Sequence, residues 1–305
     1  MASRKIVIGG GTGFIGRSLG QLVTSKGYNV INVSRMPGTN NISWSSINGQ
    51  GLPFQTAAVV NVAGQQFMDI TKTWSPGFKQ NVHNSRVYTT KSIAAAINKS
   101  VTKPKVFVVV TGVGAYEPSE SIQYDEDSPT TGNDFFSRLV VEWEKAAKVD
   151  DPVRLVIIRS GAVLGRYGGM IKNMFLPFYF GVGGRIGSGK QYLPWIHIDD
   201  LTQLILFAIE NENVKGILNG VAPQVITNEQ FTQSFATALS RPAFFPVPEM
   251  MLNVMLNPER AMIMTKGQHV IPKRVLDYGF KYKYSDIKEA CKEFAHLFPK
   301  KHPLH

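Results

Sequence analysis

Three shortages shape this sequence: a single cysteine, no apolar run near the roughly 20 residues of a membrane-spanning helix, and no acidic residue at the end of the second predicted strand. One cysteine excludes an intramolecular disulfide and fits a reducing compartment. The pattern Ile287, Ala290, Cys291, Phe294 places it on the apolar face of a helix rather than in a nucleophilic site. The chain enters its first strand by Lys5, which leaves no room for a conventional presequence. The expected compartment is therefore the cytoplasm, with the mitochondrial matrix as the alternative that the positive charge would suit.

The formal charge is +11, yet the basic residues are scattered, the densest groups being Lys281-Tyr282-Lys283 and Lys300-Lys301-His302. No nucleic-acid motif accompanies them, so the charge reads as a solvated basic surface, with no nucleic-acid and no membrane partner expected. No internal repeat, low-complexity tract or metal-ligand spacing is present.

What the sequence does contain is concentrated near its start. Lys5-Ile6-Val7-Ile8-Gly9 is an apolar strand that runs into Gly10-Gly11-Thr12-Gly13-Phe14-Ile15-Gly16 and then an amphipathic helix. Glycines at 10, 13 and 16 suit a tight turn, close approach of backbone N–H groups to a pyrophosphate, and close packing of helix on sheet. The turn, with Thr12, Phe14 and Ile15 inside it, is thus a dinucleotide cradle. The second strand, Tyr28 to Val33, ends in Ser34-Arg35 where an NAD-binding chain carries an Asp or Glu. An arginine there accommodates a ribose 2′-phosphate, so the expected cofactor is NADP(H).

Further along, the buried strand Ala58 to Gly64 places Val62, Ala63 and Gly64 at a carboxyl end, beside the nucleotide. Met36 to Pro53 shows no period. A long helix is expected over Phe78 to Asn98, then a strand Val106 to Thr111, a helix Phe135 to Lys148 and a strand Val153 to Arg159. Strands alternating with helices define an α/β chain with a doubly wound parallel sheet. The glycine-rich stretch beyond Ser160 reads as ligand-facing. A helix Leu201 to Glu210 is capped by Asp199 or Asp200, Lys215 to Gly220 forms a strand, and a Met-rich helix over Glu249 to Thr265 fills a small core. Residues 1–165 and 197–223 are assigned to the nucleotide-binding domain. Residues 166–196 and 224–298 are assigned to a smaller C-terminal α+β domain on the substrate side, and 299–305 to a tail.

Together these motifs resemble the extended branch of the short-chain dehydrogenase/reductase superfamily. The resemblance is carried by the glycine turn, Asn61-Val62-Ala63-Gly64, the strand ending at Thr111, Arg159-Ser160-Gly161-Ala162-Val163-Leu164-Gly165 and Trp195-Ile196-His197-Ile198-Asp199-Asp200-Leu201. It is closer still to the atypical "epimerase family protein" group, family 39U of that superfamily. That group is similar in Tyr124-Asp125-Glu126-Asp127-Ser128-Pro129, Pro194-Trp195-Ile196-His197, Leu218-Asn219-Gly220-Val221-Ala222-Pro223, Gly267-Gln268-His269-Val270-Ile271-Pro272 and Gly279-Phe280-Lys281-Tyr282.

The resemblance implies a Rossmann-type fold, NADP(H), and an oxidoreductase or epimerase acting on a small polar or sugar-like substrate. It implies that Val163 lies against the nicotinamide and that Thr111 hydrogen-bonds a substrate oxygen. The family's Asn-Val-x-Gly-Thr run corresponds to Arg86-Val87-Tyr88-Thr89-Thr90, so Arg86 could bind the pyrophosphate bidentately, with Asn81 on the same helix. Where the family carries a Tyr-x-x-x-Lys pair, this chain has Phe136 and Val140, neither able to transfer a proton. Tyr116 and Tyr124 are then the nearest proton-donor candidates, with His197 and Asp134 behind them. The alternative is a non-catalytic NADP(H) sensor or scaffold. Oligomeric state is left open.

Overall fold

A computed structural model describes residues 4–35, 38, 40–69 and 71–296 of the chain; the tail assigned to 299–305 lies outside the described residues. In its first half, β1 (Lys5–Gly9) leads to α1 (Phe14–Ser25), β2 (Asn29–Ser34), β3 (Asn41–Ser43), α2 (Trp44–Gln50), β4 (Thr56–Asn61), α3 (Pro76–Asn84), α4 (Val87–Lys99) and β5 (Val106–Gly112). The chain continues through β6 (Gln123–Tyr124), α5 (Phe135–Lys145), β7 (Arg154–Ser160), β8 (Ala162–Gly165), α6 (Gly169–Tyr179), β9 (Trp195–His197), α7 (Ile198–Glu210) and β10 (Gly216–Gly220). The last segment carries α8 (Asn228–Leu239), α9 (Glu249–Leu256), α10 (Pro258–Thr265), β11 (His269–Val270), α11 (Lys273–Asp277) and α12 (Ile287–Phe294).

Seven strands form one parallel sheet in the order β10-β7-β5-β4-β1-β2-β3. Its strands are apolar on both faces because helices cover both. Ile6, Ile8, Val106 and Val108 point toward α1 and α7, where Leu19, Val23, Leu201 and Ile205 meet them. Val7, Val59, Phe107 and Val109 face α2, α4 and α5 through Ile47, Ile93, Ile97 and Trp143. The order reverses between β1 and β4, and the crevice outside their carboxyl ends is where such a sheet binds ligands.

A second apolar cluster gathers Phe175 and Phe178 of α6, Phe231 and Phe235 of α8, Trp195, and Ile287, Cys291 and Phe294 of α12. Cys291 is fully buried there, and burial pushes its thiol up to about 12, which removes it from nucleophilic chemistry.

Several elements differ from the sequence reading. The helix expected over 78–98 is two helices, broken at Ser85-Arg86. Ser85 Oγ accepts from Gln65 N at 2.8 Å and Thr89 Oγ1 donates to the Ser85 carbonyl at 2.9 Å, so local hydroxyls replace the helical ladder. The patternless stretch before Pro53 holds β3 and α2, the latter capped by Ser43. The single Met-rich helix is also two, since Asn257 takes φ +78° and Pro258 opens α10. Met250, Met251 and Met255 are solvent-exposed rather than packed in a core.

Candidate dinucleotide site

The glycine turn sits at the switch point. Gly10 has φ +78°, and a Cβ there would stand 2.7 Å from the Cα of Ala63. A Cβ on Gly16 would stand 2.6 Å from the Cα of Gly11, so α1 seats on the turn only with hydrogen at that position. Gly13 is the N-cap of α1 and makes no side-chain cap; the first N–H groups of the helix are left facing the crevice. From β4, Val62 N donates to the Gly9 carbonyl at 2.9 Å and Ala63 N donates to Asn61 Oδ1 at 3.1 Å, which pins the 62–64 turn against Gly10. Asn61 in turn donates to Thr90 Oγ1 at 2.7 Å, which also accepts from Trp143 Nε1 at 2.7 Å.

Ser34 is buried at the end of β2 with its hydroxyl 3.2 Å from Thr12 Oγ1, and Arg35 beside it is exposed. Thr12 of the first turn and the Ser34-Arg35 strand end are thus brought to one corner of the crevice. Phe14 and Val163 both come up against Gly169. The Phe14 ring lies against Gly165 and Gly168, and the Val163 carbonyl abuts Gly169. Glycines of the stretch beyond Ser160 therefore make room for close backbone packing, a use the ligand-facing reading did not include. Ile15 packs against the cluster beneath the sheet face that carries α1 and α7.

Arg86 opens α4 with its guanidinium buried and pressed against Gly64, where an added Cβ would sit 3.0 Å from Cζ. Its Nη1 donates to the carbonyls of Gln65 (3.0 Å) and Val82 (3.1 Å), and the group lies 5.4 Å from the ring centroids of both Phe67 and Trp143. Burial pulls its pKa down to about 10, so it stays cationic at neutral pH. Among the described residues no carboxylate pairs with it. A buried cation without a counter-ion beside a glycine turn suits an anionic ligand. Asn81 does not share its helix: it lies on α3, exposed, beyond the break at Ser85.

Phe136 and Val140, which the resemblance sets against the family's tyrosine and lysine, are closed by apolar packing. Phe136 stacks on Trp74 (5.7 Å between centroids) and tilts against Phe67 (5.2 Å), and Val140 is buried one turn on. The C-terminal segment seals this cluster from outside. Trp74 Nε1 donates to Glu259 Oε2 at 2.5 Å, Lys79 pairs with the same carboxylate, and Arg260 donates to the carbonyls of Phe67 (3.3 Å) and Asp69 (2.9 Å).

The Tyr116 hydroxyl is engaged elsewhere, which corrects the sequence reading of this residue. It follows a short 3-10 turn (Val113–Ala115), is wholly buried, and stacks on Tyr124 at 5.0 Å. Its hydroxyl accepts from Arg159 Nη1 (3.0 Å) and faces Asn219 Oδ1 (2.8 Å) and the Asp125 carbonyl (2.9 Å), so no face is left for a substrate. Burial raises its pKa, against the direction a proton donor near neutral pH requires. Thr111, at the carboxyl end of β5, donates to Glu144 Oε1 at 3.2 Å, and that carboxylate forms a bidentate pair with buried Arg159 (2.8 and 2.7 Å). Asp134 caps α5 through Phe136 N and Ser137 N. The Arg159–Glu144 pair carried no assigned role in the sequence reading, although two charges in apolar surroundings signal a buried partner.

His197, not Asp199 or Asp200, caps α7: its Nδ1 accepts from Asp199 N at 3.0 Å. Asp200 instead accepts from the backbone N–H groups of Lys283 (2.7 Å) and Tyr284 (2.9 Å), tying α7 to the C-terminal segment. His197 is buried, its ring 3.9 Å from that of Tyr284, with Nε2 unpartnered, and burial holds its pKa near 4. Below pH 6.5 the unfolded chain takes up a proton that the folded one refuses, so stability falls as pH drops from about 6.5 toward 4. Between pH 7.5 and 5 the loss amounts to about 2 kcal/mol. His197→Asn keeps the cap acceptor and removes the titration. Urea unfolding of both proteins at pH 7.5 and 5 is expected to show the wild type losing more; parallel losses would refute this role.

A doubly wound parallel sheet with a glycine turn at its switch point defines a Rossmann-type dinucleotide-binding protein. The chain belongs to the NAD dependent epimerase/dehydratase family, which matches residues 6–219, and residues 247–294 match a domain of unknown function. It is 46% identical over 292 residues to human "Epimerase family protein SDR39U1", covering 95% of this chain and 99% of the relative. The crystal structure of human epimerase family protein SDR39U1 (isoform 2) with NADPH superposes with a TM-score of 0.95 at 45% identity, covering 96% of this chain and 100% of that one. UDP-N-acetylglucosamine 4-epimerase from Bacillus cereus shares the fold, with a TM-score of 0.74 at 15% identity over 95% and 98% of the two chains.

Proposed function

We propose that this protein binds NADP(H) in the crevice between β1 and β4. The observation that carries the reading is the cradle itself: hydrogen-only positions at Gly10 and Gly16, with the Arg86 cation, which pairs with no carboxylate among the described residues, against Gly64. The NADPH in the human relative's crystal structure supports the same reading. Gly10 to Gly16 and Arg86 would hold the pyrophosphate, Ser34 and Arg35 the 2′-phosphate, and Val62, Ala63, Gly64 and Val163 the walls toward the nicotinamide. NADPH bound there would be a source of hydride were a substrate present; the chain's own groups would supply binding and orientation. We propose the cytoplasm as the compartment, with the mitochondrial matrix as the alternative, a reading that the single, unpaired Cys291 supports.

Phe136 and Val140, sealed among Trp74 and Phe67, favour an NADP(H)-dependent sensor or scaffold over proton-coupled reduction. Oxidoreductase action on a small polar or sugar-like substrate is the second reading, favoured by Thr111 at the carboxyl end of β5. NADPH titration combined with a carbonyl and sugar-nucleotide turnover panel separates them. Tight binding without cofactor oxidation is the expected result, and turnover abolished by Thr111→Val would establish the second reading.

Arg35→Ala is expected to weaken NADPH binding by roughly 10–100-fold, the worth of a hydrogen bond to a charged group, while leaving NADH binding unchanged. Isothermal titration with both cofactors checks this. An unchanged preference would remove Arg35 from the site.

A further inference from the structure

A surface outside the dinucleotide crevice is apolar to a degree a solvated face does not require. Leu176 on α6 and Phe180 just after it are 59% and 72% exposed; on the loop before α9, Phe244 and Phe245 are 82% and 62% exposed; on α9, Met250 and Val254 are 78% and 83% exposed. The backbone places these segments next to one another. Arg241 Nε donates to the Tyr179 carbonyl at 2.8 Å, and Val247 N donates to the Arg185 carbonyl at 2.8 Å, so the segments after α6 and before α9 run side by side. Within α9 the exposed positions 250 and 254 share one side, and Leu252 and Leu256 are buried on the other. The three phenylalanines alone present roughly 400 Å², already comparable to the largest apolar patch of an ordinary monomer.

Pro242, Pro246 and Pro248 bracket the Phe244-Phe245 tip, which lowers the entropy cost of holding both rings outward. Charge selects the occupant. Residues 166–190 carry Arg166, Lys172, Arg185 and Lys190 and no acidic residue, and exposed Lys172 precedes Leu176 by one turn. Arg241 adds a further exposed cation; against these cations stand the exposed carboxylate of Glu249 on α9 and the half-buried one of Glu229, which lies 4.0 Å from Arg185 and offsets it. A second copy of the chain would bring the same cations face to face across a two-fold axis. Two aromatic rings at a rigid tip with a cationic rim fit an anionic lipid surface, where rings enter the headgroup boundary and lysines meet phosphates.

We propose that this face seats the protein on anionic membranes, as a peripheral contact. No described helix is long and apolar enough to cross a membrane, so the contact is with the surface alone. This departs from the expectation that no membrane partner exists. The surface lies outside the residues assigned to NADP(H), and its test is independent of them.

The test is flotation of the full chain with phosphatidylcholine vesicles and with vesicles containing a third phosphatidylglycerol. Binding is expected only to the second, and raised salt should weaken it. Phe244→Ser/Phe245→Ser should lower the partition coefficient at least tenfold while leaving NADPH affinity and melting temperature unchanged. Lys172→Glu/Lys190→Glu should weaken binding without altering the apolar tip. Three outcomes would overturn the proposal: no binding of the wild type to anionic vesicles, equal binding of the double-serine variant, or a concentration-dependent dimer that the double-serine variant dissolves.

Discussion

Replacing Arg159 by methionine is expected to destabilise the protein by about 3–5 kcal/mol, the cost of leaving a buried partner charge uncompensated. Arg159 is almost fully buried and holds Glu144 in a bidentate pair while its Nη1 donates to Tyr116 Oη. Its removal leaves the Glu144 carboxylate without a counter-ion, held only by Thr111 Oγ1, and takes one donor from the Tyr116 hydroxyl, which keeps Asn219 Oδ1 and the Asp125 carbonyl. Tyr116→Phe removes only a hydroxyl from the same network and should cost about 1 kcal/mol. Arg159→Met/Glu144→Leu should recover most of the loss, because an apolar pair needs no solvation. Urea unfolding of the singles and the double forms a cycle that isolates the pair. A loss below 1 kcal/mol for Arg159→Met would show the pair to be incidental. A Tyr116→Phe effect confined to stability, with NADPH affinity intact, would support its place in the framework.

What could be read from the sequence was what local chemistry dictates. The strand-turn-helix at Lys5 to Ser25 was legible because glycine is required where backbone passes backbone, and the apolar strands because helices cover both faces. The cap of α7 was not legible. Asp199 and Asp200 are better N-cap residues than histidine by intrinsic preference, yet Asp200 is committed to two N–H groups more than 80 residues away. The break at Ser85 was hidden for a similar reason, since Gln65 from a distant turn supplies its partner. Tyr116 looked reactive because tyrosine chemistry was missing at position 136, whereas its environment is set by Arg159, Asn219 and the Asp125 carbonyl. Charge within apolar sequence was the available signal for that network: Arg159 lies at the end of Leu155-Val156-Ile157-Ile158.

Gly13→Ala and Gly16→Ala are expected to fail in different ways, and the difference tests the cradle. A methyl on Gly16 meets the backbone of both Gly10 and Gly11, neither of which can rotate away. Helix α1 must then lift from the turn, at a cost of about 1–3 kcal/mol for overpacking, and NADPH binding should fall by more than 100-fold as the N–H groups of the turn lose register. Gly13 has φ −78°, an angle alanine adopts freely, and its added Cβ would come no closer than 3.2 Å to the Gly10 carbonyl. That variant should melt within a few degrees of the wild type. A methyl at this glycine of the turn would hold backbone and pyrophosphate apart, so affinity should drop by at least tenfold without loss of fold. Fluorescence titration with NADPH alongside thermal melts reads both quantities. Wild-type affinity in Gly16→Ala would remove the turn from the cofactor site, and with it the reason to read Arg86 as facing a phosphate.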